Sequence, residues 1–285
     1  MKLIKDKRRN SCHAFTNFSP SRWADAFERF FPQQVVLSIT DGEPFLDRTN
    51  FRALLLRLTA MKHVVHIRTD TNGTWNPLFF EGVDWRKISL NLSYHPSMIP
   101  LEMFTKAVKE KLDRGVQIGM VNYVLAPLQL SFFEKIKDAM VPLGVFVNAN
   151  VYVGPMTQTE KGYALYKKYT PLIDVTLRTN EIHSTGELCM YPALAYDLNP
   201  MGYANVGCFP RINGDFIASR LPERFSDRVP CPATACNCGC LDKYAFLKQV
   251  GRGVKMDLLE EYVEACRLHR GEYVVSRTGE GSHAA

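Results

Sequence analysis

The sequence predicts an α/β fold with a parallel sheet, followed by a small cysteine-rich C-terminal extension. Short apolar, β-branched runs alternate with helical patterns up to about residue 155, and turn-forming residues separate them. After about residue 178 the pattern changes to short segments rich in Cys, Pro, Gly and Asn. Such alternation is typical of parallel strands joined by helical crossovers, in either a doubly wound sheet or a barrel. We therefore expect an α/β unit over residues 1–178 and a cysteine-rich unit over residues 179–285.

The strands are predicted from apolar runs, and a helix is expected after each turn or loop that follows them. Five strands are predicted, at residues 34–39, 64–69, 88–93, 116–124 and 145–152. Ahead of the first, Ser19 and Pro20 have the residue types of a helix N-cap and first helical position. The apolar spacing from Trp23 to Phe31 is that of one helical face, so the helix is expected to reach Phe31.

Three further helices have recognisable boundaries. A Leu-rich helix is expected over about residues 49–61. Pro100 is expected to open the next one, and Gly115 to end it, because glycine readily adopts the left-handed conformation that stops a helix. Ser131 and Glu134 have the spacing of a capping box at the start of another.

The composition excludes several classes of protein. With 285 residues, 46% hydrophobic and 22% charged, the chain is neither disordered, collagen-like nor a coiled coil. The net charge of +6 has no basic block except residues 5–9, so we expect no nucleic-acid partner. No apolar h-region follows the basic start, and no apolar run approaches the roughly 20 residues that span a bilayer. A cytoplasmic protein without membrane contact is predicted.

The cysteines are the strongest chemical signal. Cys12 stands alone, and the other seven lie in the last third of the chain: Cys189, Cys208, Cys231, Cys236, Cys238, Cys240 and Cys266. Clustered thiols in a reducing compartment indicate metal ligands rather than disulfides. Four thiolates suit either tetrahedral zinc or a cubane iron–sulfur cluster. The paired C-x2-C spacing usual for zinc is absent, which favours iron–sulfur. A closing helix is expected over residues 257–270, and Cys266, on its apolar face, is interpreted as a core thiol.

Polar, turn-forming segments follow the first three predicted strands. They are Asp41-Gly42-Glu43-Pro44, Thr71-Asn72-Gly73 and Ser93-Tyr94-His95-Pro96. Because ligands bind at the carboxyl ends of parallel strands, these segments are candidates for a binding site. Gly42 permits close approach of the backbone to a ligand, and Glu43 offers a carboxylate for an ammonium group. Each segment also fits an ordinary polar loop.

The order of these segments resembles the radical S-adenosylmethionine (radical SAM) superfamily. Residues 39–44 are similar to that family's Gly-Gly-Glu-Pro motif, which binds the methionine amino group, and residues 71–73 follow the next strand. Cys12-His13 looks like the last cysteine and following aromatic residue of the C-x-x-x-C-x-x-C signature. The late cysteines resemble twitch or SPASM extensions, which hold an auxiliary cluster. The resemblance implies a partial (β/α)6 barrel over residues 1–178.

One departure from the family pattern concerns the catalytic cluster. The first two signature cysteines would fall at positions 5 and 9, where Lys5 and Arg9 stand instead. The family's cluster needs three thiolates and leaves its fourth iron open for S-adenosylmethionine. A truncated or misread amino terminus, a degenerate relative and a mistaken alignment all explain this, and the first is favoured.

The resemblance implies a function for the full-length form. A 4Fe-4S cluster would reductively cleave S-adenosylmethionine to a 5′-deoxyadenosyl radical, drawing electrons from a reductant such as ferredoxin or flavodoxin and acting on a peptide or small-molecule substrate. Asp41, Gly42, Glu43 and Pro44 would hold the methionine end, and Asn72, Ser93 and His95 would lie near the ribose or carboxylate. Cys12 would bind the catalytic cluster and Cys189, Cys208, Cys231, Cys236, Cys238 and Cys240 the auxiliary one. The alternative is an inactive scaffold or a zinc-bearing module that binds a partner.

Overall fold

The computed structural model describes most of the first 151 residues and part of the region from 185 to 232. The described residues are 14–40, 42–125, 130–145, 147–151, 185–186, 188–189, 191–206, 209–227 and 229–232. The predicted domain boundary near residue 178 and the closing helix predicted at 257–270 lie outside them.

The main sheet has five parallel strands, arranged in the order in which they occur along the chain. They are β1 (Val35–Ile39), β2 (Val64–Thr71), β3 (Ile88–Tyr94), β4 (Gln117–Leu125) and β5 (Val147–Val151). All five predicted strands are confirmed, and each predicted boundary lies within two residues of the observed one. The fold is therefore α/β with a parallel sheet, as predicted.

The helices before and between these strands largely follow their local signals. They are α1 (Ala14–Asn17), α2 (Pro20–Glu28), α3 (Arg48–Ala60), α4 (Leu101–Asp113) and α5 (Leu130–Met140). Ser19 caps α2 as predicted, because its hydroxyl oxygen accepts a hydrogen bond from the N–H of Arg22 at 3.3 Å. Gly115, with φ of +77°, follows the end of α4. No helix in the described ranges is long and apolar enough to cross a membrane.

The prediction that the α2 helix reaches Phe31 is wrong. The helix ends at Glu28, and Phe30 and Phe31 lie beyond it in a turn. Phe30 still faces the core, because its ring stacks on that of Phe216 with centroids 5.8 Å apart, whereas Phe31 is exposed. Phe30 is therefore apolar because the turn packs on Phe216, which is far away in sequence. The spacing of apolar residues alone does not distinguish such a turn from a further helical turn.

Two other predictions are also corrected. The connection between β2 and β3 contains two short 3-10 helices, Pro77–Phe80 and Trp85–Lys87, where an α-helix was expected. The side chains of Asn76 and Asp84 cap these turns, and Gly82, with φ of +87°, bends the chain between them, so each stays a single turn. Helix α5 begins at Leu130, so the predicted cap, Ser131, lies inside the helix.

Consecutive strand order places the helices on one face of the sheet. Crossovers between parallel strands are right-handed. When each strand is added on the same side of the one before it, every crossover helix therefore lies on the same face of the sheet. The ring of Tyr94 on β3 lies 4.6 Å from that of Phe104 on α4, and Tyr123 on β4 lies 6.3 Å from Phe133 on α5. A doubly wound sheet needs a reversal of strand order, which is absent from these five strands.

The described part of the extension is built of short strands. It contains β6 (Leu188–Cys189), α6 (Tyr191–Leu194), β7 (Tyr196–Leu198), β8 (Tyr203–Val206), β9 (Phe209–Asp215) and β10 (Val229–Pro230). β7, β8 and β9 form an antiparallel sheet. Phe216, just after β9, stacks on Trp23 of α2 at 6.0 Å, and Arg29 donates hydrogen bonds to the carbonyls of Phe216 and Ile217 at 3.1 and 2.7 Å. The extension therefore shares a core with the amino-terminal helix.

Candidate functional site

Glu43 joins the loop after β1 to the loop after β2. Its Oε1 accepts hydrogen bonds from the hydroxyl of Thr71 at 2.6 Å and the N–H of Phe45 at 3.2 Å. Its Oε2 accepts from the N–H of Asn72 at 2.7 Å. A carboxylate has about four acceptor positions, so Oε2 can accept one more donor. The half-buried carboxylate thus lies at the carboxyl edge of the sheet with its orientation fixed and one acceptor position left.

Thr71, which the sequence analysis did not single out as a site residue, organises the loop after β2. Its O–H group donates to Glu43, and its oxygen accepts from the N–H of Gly73 and from the indole N–H of Trp75, both at 3.2 Å. The amide oxygen of Asn72 accepts from the N–H and hydroxyl of Thr74 at 2.9 and 2.7 Å. Asn72 therefore shapes its own turn, while its main-chain N–H holds Glu43. A hydroxyl residue that ends a strand just before an Asn-Gly turn is the signal that was overlooked.

Lys111 is a second residue that sequence reasoning missed. It lies on α4 and is only 2% exposed, yet its ammonium group reaches the loop after β2. There it donates to the carbonyls of Gly73 at 2.7 Å and Trp75 at 2.9 Å, and it lies 4.7 Å from the centroid of the Trp75 ring. Burial lowers the pKa of Lys111 to about 8, while nearby Glu110 acts in the opposite direction. Its position three residues after Val108 and seven after Phe104 is on the buried face of the helix, but its charge favours an exposed position.

Stacked aromatic rings pack against the loops that follow β1 and β2. Phe45, which follows Glu43-Pro44, stacks face to face on Trp75 with centroids 4.1 Å apart and an interplanar angle of 5°. Trp75 in turn stacks on Trp85 at 5.6 Å, and Phe80 meets Phe45 edge-on at 5.0 Å. Phe45, Trp75 and Phe80 are buried. Such packing gives the loops a rigid base, as a pre-organised binding site requires.

The remaining predicted residues at this edge have varied surroundings. Gly42 has φ of +65°, and no atom of the other described residues beyond its chain neighbours lies within 4 Å of the place where a side chain would begin. Pro44 opens a 3-10 helix. Ser93 is half-buried in β3, whereas His95 is exposed, and the main-chain carbonyl of His95 accepts from the N–H of Met98 at 2.9 Å. Within the described residues, neither Ser93 nor His95 is hydrogen-bonded to Glu43.

The sheet has a second surface rich in hydrogen-bonding side chains, opposite the helices. Side chains alternate between the two faces of a strand, so register partners and every second residue share a face. We define the polar face by eight residues of β1 to β4: Ser38, His66, Arg68, Asp70, Ser89, Asn91, Ser93 and Asn122. Parallel strands covered on both faces are usually apolar throughout, so this surface departs from the common pattern.

Much of the polar face is enclosed and internally bonded. His66 and Ser89 are 8% and 9% exposed, and their Nε2 and Oγ atoms are 2.8 Å apart. The guanidinium of Arg68 lies 3.3 Å from the carboxylate of Asp70, and both are half-buried. An enclosed surface that offers both charges and neutral donors and acceptors can bind a polar ligand. The polar face reaches the carboxyl ends of β2 and β3 at Asp70 and Ser93, the edge of the sheet at which Glu43 lies.

Two of the predicted cluster ligands lie on or next to paired strands, Cys189 on β6 and Cys231 directly after β10. β6 and β10 are antiparallel, and Cys189 is the register partner of Val229. Cys231 follows two residues later, is 5% exposed, and its carbonyl accepts a hydrogen bond from the N–H of Gly186 at 2.9 Å. The backbone therefore brings two cysteines that are 42 positions apart in sequence to neighbouring places. This proximity fits a shared thiolate site.

The other predicted site residues lie outside the described ranges: Cys12, Asp41, Cys208, Cys236, Cys238 and Cys240. Among the residues that are described, no group of three His, Cys, Asp or Glu side chains is arranged to hold a metal ion. Comparisons with protein-family models, with curated proteins and with solved structures find no match to this chain.

Proposed function

We propose that this protein binds S-adenosylmethionine at the carboxyl edge of its sheet, in the manner of a radical SAM protein, and carries an auxiliary iron–sulfur cluster on its late cysteines. The observation that carries the proposal is the geometry of Glu43. Its carboxylate is held by donors from two strand ends, yet Oε2 can accept a further donor. The ammonium of a methionine moiety is such a donor, and a charge-assisted hydrogen bond to it is of the stronger kind.

The fold supports this proposal. Five parallel strands in consecutive order, with the helices on one face, are compatible with five of the six strands of a partial (β/α)6 barrel. In such a barrel the polar face would line the interior and lead from the carboxyl edge inward. Gly42 would let the ligand approach the backbone beside Glu43.

The late cysteines provide the chemistry for the auxiliary cluster. Cys189 on β6 and Cys231, directly after the paired strand β10, would supply thiolates together with others from Cys208, Cys236, Cys238 and Cys240. A cluster of this kind supplies electron transfer or a binding position for substrate when it is present. We further propose a peptide or small-molecule substrate and a ferredoxin- or flavodoxin-type reductant, since such extensions accompany peptide modification in the family that the chain resembles.

The residues present do not fit the family's catalytic cluster. Such a cluster needs three thiolates, and Lys5 and Arg9 stand where two of them would accompany Cys12. We therefore expect this chain, after reconstitution with iron and sulfide and reduction with dithionite, to form no 5′-deoxyadenosine from S-adenosylmethionine. Chromatographic detection of 5′-deoxyadenosine above a control without protein would contradict this.

The binding proposal is tested with Glu43→Gln. The substitution keeps the size of the side chain but removes its charge, so the dissociation constant for S-adenosylmethionine is expected to rise about 10- to 100-fold. Isothermal titration measures this constant. The same variant should bind 5′-methylthioadenosine as tightly as the parent chain does, because that nucleoside lacks the amino-acid end that Glu43 would hold.

The matched control is Asp47→Asn. Asp47 is a carboxylate four residues further along, and it caps α3 by accepting from the N–H of Asn50 at 3.3 Å. Its carboxylate bonds to Asn50 and, within the described residues, not to the loop after β2. Asn caps a helix about as well as Asp, so this variant should stay folded and keep its affinity for S-adenosylmethionine. Equal affinity in the parent chain and Glu43→Gln, or an equal loss in both variants, would show that Glu43 does not bind the ligand.

A further inference from the structure

Asn91 presents a buried donor that nothing in the described residues satisfies. It lies in the middle of β3 on the polar face and is 3% exposed. Its side-chain Nδ2 is enclosed and has no hydrogen-bond partner among the described residues. Gly119, on the neighbouring strand β4, makes room for this amide, because a Cβ atom there would lie 3.1 Å from the Oδ1 of Asn91. The strand pair therefore accommodates a polar group that it does not bond.

An unsatisfied buried donor lowers the stability of the protein that contains it. Thr69 on β2 provides a comparison, because its Oγ1 is also enclosed without a partner among the described residues. Thr69 pairs in register with Leu90 and so lies on the opposite, helix-covered face. The amide of Asn91, in contrast, faces the surface that begins at the Glu43 edge. Of these two residues, Asn91 is the one placed where a bound ligand can supply the missing acceptor.

The register gives the separation between Asn91 and the Glu43 edge. Asn91 pairs with Asp70, and the next pair, Thr71 with Leu92, includes the residue whose hydroxyl holds Glu43. Asn91 thus lies one strand across and one residue deeper than Thr71, a backbone separation of about 6 Å from ordinary strand spacings. A ligand whose ammonium group binds Glu43 and whose body extends over the polar face passes this position.

We propose that Asn91 is a ligand-binding residue, whose Nδ2 donates a hydrogen bond to an acceptor on the nucleoside part of S-adenosylmethionine bound at the Glu43 edge. The assignment rests on the proposed function for the identity of the ligand. It explains why an amide is present at a buried position where an apolar side chain would give a more stable chain. The donor is satisfied only when the ligand is bound. It therefore contributes to affinity and specificity, while it lowers the stability of the unliganded protein.

The test uses Asn91→Leu, with Asn91→Val as a second variant suited to a strand and Thr69→Val as the matched control. Without ligand, all three are expected to raise the thermal unfolding midpoint, by about 2–4 °C, because each removes an unsatisfied polar group. Both Asn91 variants are expected to bind S-adenosylmethionine and 5′-methylthioadenosine about tenfold more weakly. Thr69→Val should bind both as the parent chain does. Differential scanning calorimetry and isothermal titration provide the readouts.

The outcomes separate this inference from the function on which it rests. If the parent chain binds neither compound, the proposed function fails. If the parent binds both and the Asn91 variants bind equally well, or unfold at lower temperature with unchanged affinity, the amide is structural and only this inference fails. A loss confined to S-adenosylmethionine, with 5′-methylthioadenosine unaffected, would overturn the nucleoside assignment.

Discussion

Replacing Cys231 with alanine is expected to lower the iron bound after anaerobic reconstitution by roughly half or more, because a cubane cluster needs about four protein ligands. Cys231 is the most informative of the late cysteines. It is buried, and the pairing of β6 with β10 places it beside the chain segment that contains Cys189. Iron and sulfide assays, with the visible absorption spectrum, measure the effect. Cys236→Ala and Cys238→Ala are expected to act in the same direction.

Cys266→Ala is the control for loss of a thiol outside the site. Cys266 is interpreted as a core residue, so its removal should leave the iron content unchanged. An equal loss of iron from Cys266→Ala would mean that this interpretation is wrong. Stoichiometric zinc in the parent chain, with neither sulfide nor a brown chromophore, would exclude the cluster and favour the alternative of a zinc-bearing module that binds a partner.

The stability of the parent chain relative to Lys111→Met is expected to rise by about 3 kcal/mol between pH 8 and pH 10.5. Burial lowers the pKa of Lys111 from 10.5 to about 8 in the folded chain. Between these values the unfolded chain binds more protons than the folded one, so an increase in pH favours folding. Below pH 8 the folded chain must hold a buried ammonium group, whose desolvation cost is then fully present.

The measurement is urea unfolding of both chains at several pH values. Burial raises the pKa values of Tyr94 and Tyr123, so both residues lower the stability of either chain at high pH. Their contributions cancel when the stability of one chain is subtracted from that of the other. Lys109→Met changes an exposed lysine of the same helix and should leave the pH profile of the parent unchanged. Lys111→Gln, which keeps a neutral donor, is a second variant. A difference that stays constant from pH 8 to 10.5 would contradict the assigned burial.

The site was predictable wherever the residues adjacent in sequence decide the structure. Strand ends followed by Asp-Gly-Glu-Pro and Thr-Asn-Gly were sufficient to place Glu43 and Asn72 at one edge, since parallel strands bring their carboxyl ends together. The roles of Thr71 and Lys111 were not predictable in the same way. Both depend on contacts across 28 or more positions, and neither residue type is unusual for a strand end or an amphipathic helix.

The errors have two origins. The aromatic spacing up to Phe31 predicted a longer α2, but Phe30 packs on Phe216, a residue that periodicity cannot anticipate. Between β2 and β3, caps at Asn76 and Asp84 close single 3-10 turns where a helix was expected. The first error reflects a tertiary contact, and the second reflects local turn signals that were not used.

The sequence by itself determined the five strands, most helix boundaries and the candidate residues after β1 and β2, because apolar periodicity, caps and turns act within a few residues. Only the tertiary structure decided the consecutive strand order, which gives the sheet one face covered by helices and one polar face. It also decided that Glu43 is held by Thr71 and Asn72, and that Asn91 is buried with an unsatisfied donor. These features depend on which strands are neighbours, and that choice is set by packing of the whole chain.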